Sequence, residues 1–477
     1  MSAPRSCDVI VIGGGTSGLI ASAYLAKAGK KVLLLEAEDR LGGLCAAGNH
    51  GGFSYARGAH TLYALDPFVV RDLKLARKGL RFAGQELALT GLRADGKHIV
   101  ISRNVHDTAA SLAVHSRRDA EAWPLFRKEL FELARAMRPL WWEARGTLPT
   151  GAAGRSIARI ARMGAAAWLD SWFESEALKA TLCFDSTAGG FSSLEPGSAL
   201  SLVWRAAQEI SGLQGAVTIP LGGVAALADA LATAARDEGC ELRTGARVDR
   251  LILDGNRVAG VQMQSGEACF APLVFLAANS ARKISPLLPP GALGFAQALS
   301  GMASRTAEAM VVLTLRNAPQ IAPSRFVVAE KLETYASAEI SAGQIADELP
   351  LEFVIPTLGD ASLAPPGQHI LSALVRPVPC CPEGDWPVLR SKLAAQVVTC
   401  LERLTPNLSR DITHVDVFAP ELVESHSTPS VSHMLTPTVR RVETAIGGLF
   451  VCGADAEPVS CISGRAARIA VTLAVGS

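Results

Sequence analysis

DVIVIGGGTSG at residues 8–18, with KVLLLE at residues 31–36, is the stretch that decides the fold of this 477-residue chain. Val9 to Ile12 read as a buried strand, the glycines as a tight turn, and the residues after them as a helix. KVLLLE reads as a second strand that ends on an acid. That order of elements is the unit that binds a dinucleotide. In it Gly13 permits the turn, Gly15 lets backbone approach a pyrophosphate, and Gly18 lets the helix pack on the sheet. Thr16 and Ser17 open the helix, where free N–H groups would face the phosphates. Glu36 stands where a carboxylate takes both hydroxyls of an adenosine ribose and repels a 2′-phosphate.

Around this unit, composition narrows the function. The chain is long enough for two or three domains. Forty-six basic against forty-five acidic residues leave a net charge of +1, which argues against nucleic acid as a partner. No apolar run is long enough to span a bilayer. Seven residues precede the opening stretch, too few for a signal peptide, and the ten cysteines include no CxxC pair. Both point to the cytoplasm, with the cysteines as small buried hydrophobes.

The nucleotide-binding pattern is interrupted. It resumes at IPLGG, residues 219–223, with an alanine-rich helix from Val224 to Glu238 and two short strands, 247–254 and 257–263. The apolar run 273–278 returns to the sheet just before Asn279, and residues 448–453 feed a last glycine turn and helix. The expected division is therefore a nucleotide-binding domain built from 1–65, 215–285 and 435–477. Two excursions, 66–214 and 286–434, form a second domain over the cofactor.

The segment EAEDRLGG, residues 36–43, resembles the acid–x3–Arg–x–Gly–Gly pattern of FAD enzymes of the amine oxidase and phytoene dehydrogenase-like superfamily. The order glycine fingerprint, Arg-x-Gly-Gly, Pro-x-Gly-Gly helix, strand meander and C-terminal glycine turn is similar to that family over nearly the whole chain. The resemblance implies an α/β fold (α+β overall). It would have a Rossmann-like FAD-binding domain from discontinuous segments, a mixed-sheet substrate domain and a helical cap. It further implies FAD as cofactor, held at Glu36, Ala37, Arg40, Gly42 and Gly43, with Arg40 adding positive charge near the phosphates. GGFSYARGAH, residues 51–60, resembles the family strand that passes beside the isoalloxazine, which puts Gly58, Ala59 and His60 near the ring. Val248 would pair with adenine through its main chain, and Asn279, Gly453, Asp455 and Ser463 would complete the flavin contacts.

Each assignment has a plainer counterpart. His60 can move a proton or hydrogen-bond the flavin, or only pack and cap a turn. Asn279 suits a turn as well as a flavin contact. Ala56 stands where the family carries an acid, and Val459-Ser460-Cys461 replaces its glycine triplet. A final helix starting near Ile462 would aim its N-terminus at the flavin. Cys461 beside that terminus would become a reactive thiolate or a covalent flavin link, or else remain a small residue by the ring, with FAD non-covalent. Trp123, Trp141, Trp142, Trp168, Trp172 and Trp204 can line a tunnel or fill a helical core. Arg155, Arg159 and Arg162 share one helical face, suited to a membrane surface or to solvent. His426 and His433, with Ser425 and Ser432, lead back toward the flavin and can face the substrate or sit in a loop.

These features point to an FAD-dependent dehydrogenase, desaturase or saturase that moves a hydride between flavin N5 and a largely apolar small molecule. An amine or amino-acid oxidase is the neighbouring alternative. Residues 419–449 hold no Phe, Tyr or Trp for the aromatic sandwich that family amine oxidases present. A redox-silent flavoprotein, scaffold or isomerase, is the third. No metal-ligand spacing appears, no second dinucleotide fingerprint is present, and a monomer or homodimer is expected, with at most peripheral contact to a membrane.

Overall fold

The computed structural model describes residues 5–82, 86–144, 146–188, 194–277, 285–288, 306–336, 343–380, 382–420 and 431–476. Val9–Ile12, Val32–Leu35 and Leu273–Leu276 are runs of apolar residues buried on both faces, the signature of parallel strands covered by helices. They form the centre of a five-stranded sheet ordered 241–243, 32–35, 9–12, 273–276, 449–451, with every pair parallel. Strand order reverses between 9–12 and 273–276, so a crevice opens at their carboxyl ends. Helix Thr16–Lys27 leaves from that crevice and packs between helices Ala225–Asp237 and Arg465–Val475. A smaller four-stranded sheet, which includes antiparallel Val248–Asp254 and Arg257–Met263, sits beside it.

The second layer is a seven-stranded mixed sheet ordered 412–418, 306–315, 369–379, 351–354, 325–328, 89–91, 99–101. One face carries Phe326, Phe353, Ala373 and Val375 into a core closed by helix Trp386–Leu404. Because side chains alternate along a strand, the intervening positions Arg325, Glu352, Leu374 and Arg376 belong to the opposite face. Helices Arg117–Trp142, Gly151–Ile160, Ala165–Asp170, Glu176–Ser186 and Ser198–Ala207 pack there around Trp123, Trp141, Trp168 and Trp204. The tryptophans are thus mostly core. The basic helix is an ordinary packed one: Ile157 and Ile160 are buried, and Arg159 pairs with Glu129. Among the described residues, no helix is long and apolar enough to cross a membrane.

Candidate active site

The crevice is built first by backbone. Gly13 adopts φ +103°, and a Cβ on Gly18 would stand 1.9 Å from the Gly13 carbonyl oxygen, so both positions require glycine. Helix Thr16–Lys27 starts at Gly15 with no side-chain cap and no acid in its first turn, which leaves its leading N–H groups for an anion. Gly42 donates to the Gly14 carbonyl at 2.8 Å and bridges Gly15, bringing the second glycine pair against the first. Glu36 Oε2 accepts from Gly14 N at 2.5 Å and Oε1 from Glu38 N at 2.8 Å. Each oxygen keeps a further lone pair, so the carboxylate remains able to accept two hydroxyls.

Gly15, Thr16 and Ser17 line one end of a cavity that continues past Gly58, Ala59 and His60, with Ala454, Ser460, Cys461 and Ile462 along one side. The segment carrying His60 is fixed by reciprocal backbone bonds between Leu62 and Thr218, 2.8 and 2.9 Å. His60 is 7% exposed; its Nδ1 meets the Ser372 carbonyl at 3.1 Å and its Nε2 meets Glu352 Oε1 at 3.0 Å. Both ring nitrogens therefore have an oxygen acceptor, and a carbonyl can only accept, so Nδ1 carries a proton.

The far wall is a buried ionic cluster. Arg325 Nε donates to Glu352 Oε2 at 2.8 Å and its Nη2 to Asp185 Oδ1 at 2.6 Å. Asp185 also lies 3.8 Å from Arg205 Nε, and the Arg205 guanidinium stacks 4.5 Å from the Tyr63 ring centroid. Arg376 pairs with Glu308 at 2.9 Å and lies over Phe184. Burial alone would raise the Glu352 carboxyl; the Arg325 guanidinium and the His60 hydrogen bond outweigh it and hold that carboxyl far below its usual range. Asp185 is lowered on the same balance, against burial, by Arg325 and Arg205.

This wall is what sequence reading missed. Its one signal is a charge inside each apolar run: Arg325 before Phe326-Val327-Val328, Glu352 between Leu351 and Phe353, and Arg376 after Val375. Of the expected residues, Gly15, Thr16, Ser17, Gly58, Ala59, His60 and Cys461 line one cavity. Gly13, Gly18, Glu36, Ala37, Gly42 and Gly43 form the turn and strand end behind it. Arg40 is exposed, paired with Asp39 at 3.0 Å and donating to the Ala47 carbonyl, outside the cavity. Val248 opens its strand two residues after Ala246, whose N–H donates to the Glu36 carbonyl at 2.7 Å. Gly453 is extended and precedes the 3₁₀ turn 454–456 that contains Asp455.

Several expectations at the C-terminal turn need correction. The last helix begins at Arg465, three residues after Ile462, because Gly464 caps it in a left-handed conformation. Its leading donors are already taken: Arg465 N–H by Ser463 Oγ at 2.9 Å and Ala466 N–H by Glu457 Oε1 at 2.8 Å. The Ser463 hydroxyl is therefore a capping group that also donates to Glu457, and does not line the cavity. Cys461 is not on the helix terminus, and burial together with the Glu457 charge pushes its thiol well above the ordinary range, against a thiolate. His433 is outside the cavity as well: its Nε2 donates to the Glu457 carbonyl at 2.8 Å, and Ser432 is exposed. Asn279, Ser425 and His426 lie outside the described residues.

Similarity to known proteins identifies the family. The model of the flavin-containing amine oxidoreductases matches residues 16–458. The chain is 26% identical to the rat pyridine nucleotide-disulfide oxidoreductase domain-containing protein 2, over 97% of this chain and 92% of the relative. It is 28% identical to phytoene dehydrogenase of Streptomyces griseus, over 97% of this chain and 95% of the relative. A solved oxidoreductase of Methanosarcina mazei superposes with a TM-score of 0.68 at 18% identity, covering 98% of this chain and all of that one, which speaks for the fold. The chain belongs to the flavin-containing amine oxidoreductase family and is a flavin-dependent oxidoreductase.

Proposed function

We propose that the chain binds FAD non-covalently and is a dehydrogenase acting on a small molecule that presents a polar group at its reacting end. The single observation that carries this reading is the continuity of one cavity from the Gly15–Ser17 helix start to the His60–Glu352–Arg325 cluster. FAD, when bound, supplies the two-electron acceptor for a hydride. The open N–H groups of residues 16–18 would hold the pyrophosphate, and Glu36 the ribose hydroxyls. Gly58 and Ala59 would let the ring approach backbone. Fixed in a buried network, His60, Arg325 and Arg376 would orient the substrate's polar group and hold charge in place as it reacts.

The polar wall supports a narrower substrate than a plain hydrocarbon. Against the amine oxidase reading stands the lining itself. Among the described lining residues, Tyr63 is the one phenolic, phenyl or indole ring. Asp185, Glu308 and Glu352 each face an arginine, which leaves no carboxylate among the described lining residues dedicated to an ammonium group.

Acid-precipitated protein is expected to release FAD into the supernatant. Anaerobically photoreduced protein is expected to reoxidise faster with a quinone than with oxygen. Fast reoxidation by oxygen would favour an oxidase, and no reoxidation by either would overturn the redox reading.

A further inference from the structure

A second chamber lies on the other side of the ionic wall. Asp185, Arg205 and Arg325 line both cavities, so the cluster is a wall common to the two. The outer chamber holds about 440 Å³, within the roughly 300–1,000 Å³ typical of small-ligand sites. Its sides are apolar: Leu89, Trp123, Phe126, Leu130, Phe131 and Leu202. Trp123 is 4% exposed, yet its indole N–H has no hydrogen-bond acceptor among the described residues.

The charge at the chamber is uneven. Its lining carries four arginines, at 103, 127, 205 and 325, against three carboxylates, at 86, 107 and 185. Both Glu86 oxygens are held by Arg103, at 2.6 and 2.9 Å, and Asp107 is exposed with no ion pair among the described residues. Arg127 is half-buried, lies 4.8 Å from the Phe131 ring centroid, and forms no ion pair among the described residues; the Glu86 charge that acts on it is already held by Arg103. An unpaired guanidinium at the edge of an apolar chamber is complementary to an anion with an apolar body.

We infer that the outer chamber binds an amphipathic monoanion, its aryl or alkyl body against Trp123, Phe126 and Leu130 and its charged group on Arg127. This deepens the proposed dehydrogenase reading and rests on it for one point only: that the molecule bound here is the one the flavin oxidises.

Binding is measurable without turnover. Isothermal titration of the flavin-loaded protein with octanoate, octan-1-ol and octylammonium keeps the body constant and varies the charge. Octanoate is expected to bind at 1:1 and at least tenfold tighter than the alcohol, with octylammonium weakest. Arg127→Met is expected to bring octanoate to the alcohol's affinity while leaving the alcohol and the flavin spectrum unchanged. Leu130→Trp, which fills the chamber, is expected to weaken all three together. Equal affinity for octanoate and octan-1-ol, or an Arg127→Met variant that binds octanoate as before, would overturn the inference, as would tightest binding of octylammonium. Charge-selective binding to a protein whose flavin never reoxidises would instead sink the dehydrogenase reading alone.

Discussion

The His60 imidazole and the Glu352 carboxylate stand 3.0 Å apart, 5% and 4% exposed, joined across 292 residues of chain. The pair ties the segment after the glycine unit to the central strands of the other sheet. Glu352 also holds Arg325, and a buried carboxylate paired with a guanidinium is lost at high cost because the arginine keeps its charge. Glu352→Gln is therefore expected to cost about 3 kcal/mol of stability, since Arg325 also loses a partner charge. The urea midpoint should fall accordingly, and a cycle with His60→Gln should return a coupling of about 1 kcal/mol or more. Additive single losses would mean that the contact carries no stabilisation of its own.

Gly18→Ala tests the other end of the cavity. The added methyl would meet the Gly13 carbonyl oxygen at 1.9 Å and Ala277 Cβ at 3.1 Å, and neither neighbour is a flexible side-chain end. The turn must open, which moves the helix start away from the pyrophosphate. Flavin content of the purified variant is expected to fall at least tenfold while its far-ultraviolet circular dichroism stays native. A variant with full flavin occupancy would show that the close approach of helix to turn is dispensable.

The two ends of this cavity differ in how far they could be read from sequence. Gly13, Gly15, Gly18 and Glu36 fall within one local unit of strand, turn, helix and strand, where spacing along the chain is spacing in space. Asp185, Arg325 and Glu352 come from one helix and two strands, and only the sheet order brings them together. Each could be noticed as a charge in an apolar run, but its partners depend on tertiary pairing that no local pattern encodes. The shift of the last helix to Arg465 has a different cause. Gly464 in a left-handed conformation restarts the chain direction, and a lone glycine before an alanine-rich run is equally compatible with a helix begun earlier.

Cys461 shows how position along a helix decides thiol chemistry. The thiol lies ahead of the Gly464 cap, and burial and Glu457 push it well above the ordinary range. Iodoacetamide at pH 8 is expected to leave Cys461 unmodified in the native protein over an hour, and Cys461→Ala should retain its flavin after desalting. Peptide mass spectrometry reads the first outcome and the absorbance ratio of flavin to protein the second. Rapid alkylation, or flavin that stays attached to the Cys461 peptide after acid, would reinstate the thiolate.

His433 links the last connection to acid stability. Burial, and then the Arg441 charge, lower its imidazole from 6.5 to about 4, while the Glu457 carbonyl it donates to opposes them. The neutral ring is therefore favoured in the folded protein, and between those two values the unfolded chain binds more protons. The contribution is fully present above about pH 6.5 and is lost as pH falls toward 4. Its size is about 3 kcal/mol from the displacement at 1.4 kcal/mol per pH unit. Thermal midpoints taken from pH 7 to pH 4 should fall along a slope that His433→Asn flattens, because an amide keeps a donor for the Glu457 carbonyl and does not titrate. At pH 7 the variant should lose no more than the strength of one hydrogen bond, about 1 kcal/mol. An unchanged slope between pH 7 and pH 5 in His433→Asn would overturn the assignment to His433. The Glu352 and Asp185 carboxylates, held low by Arg325, give up their contribution only as pH falls through the ordinary carboxyl range and beyond it, so a slope that begins near 6.5 belongs to the imidazole.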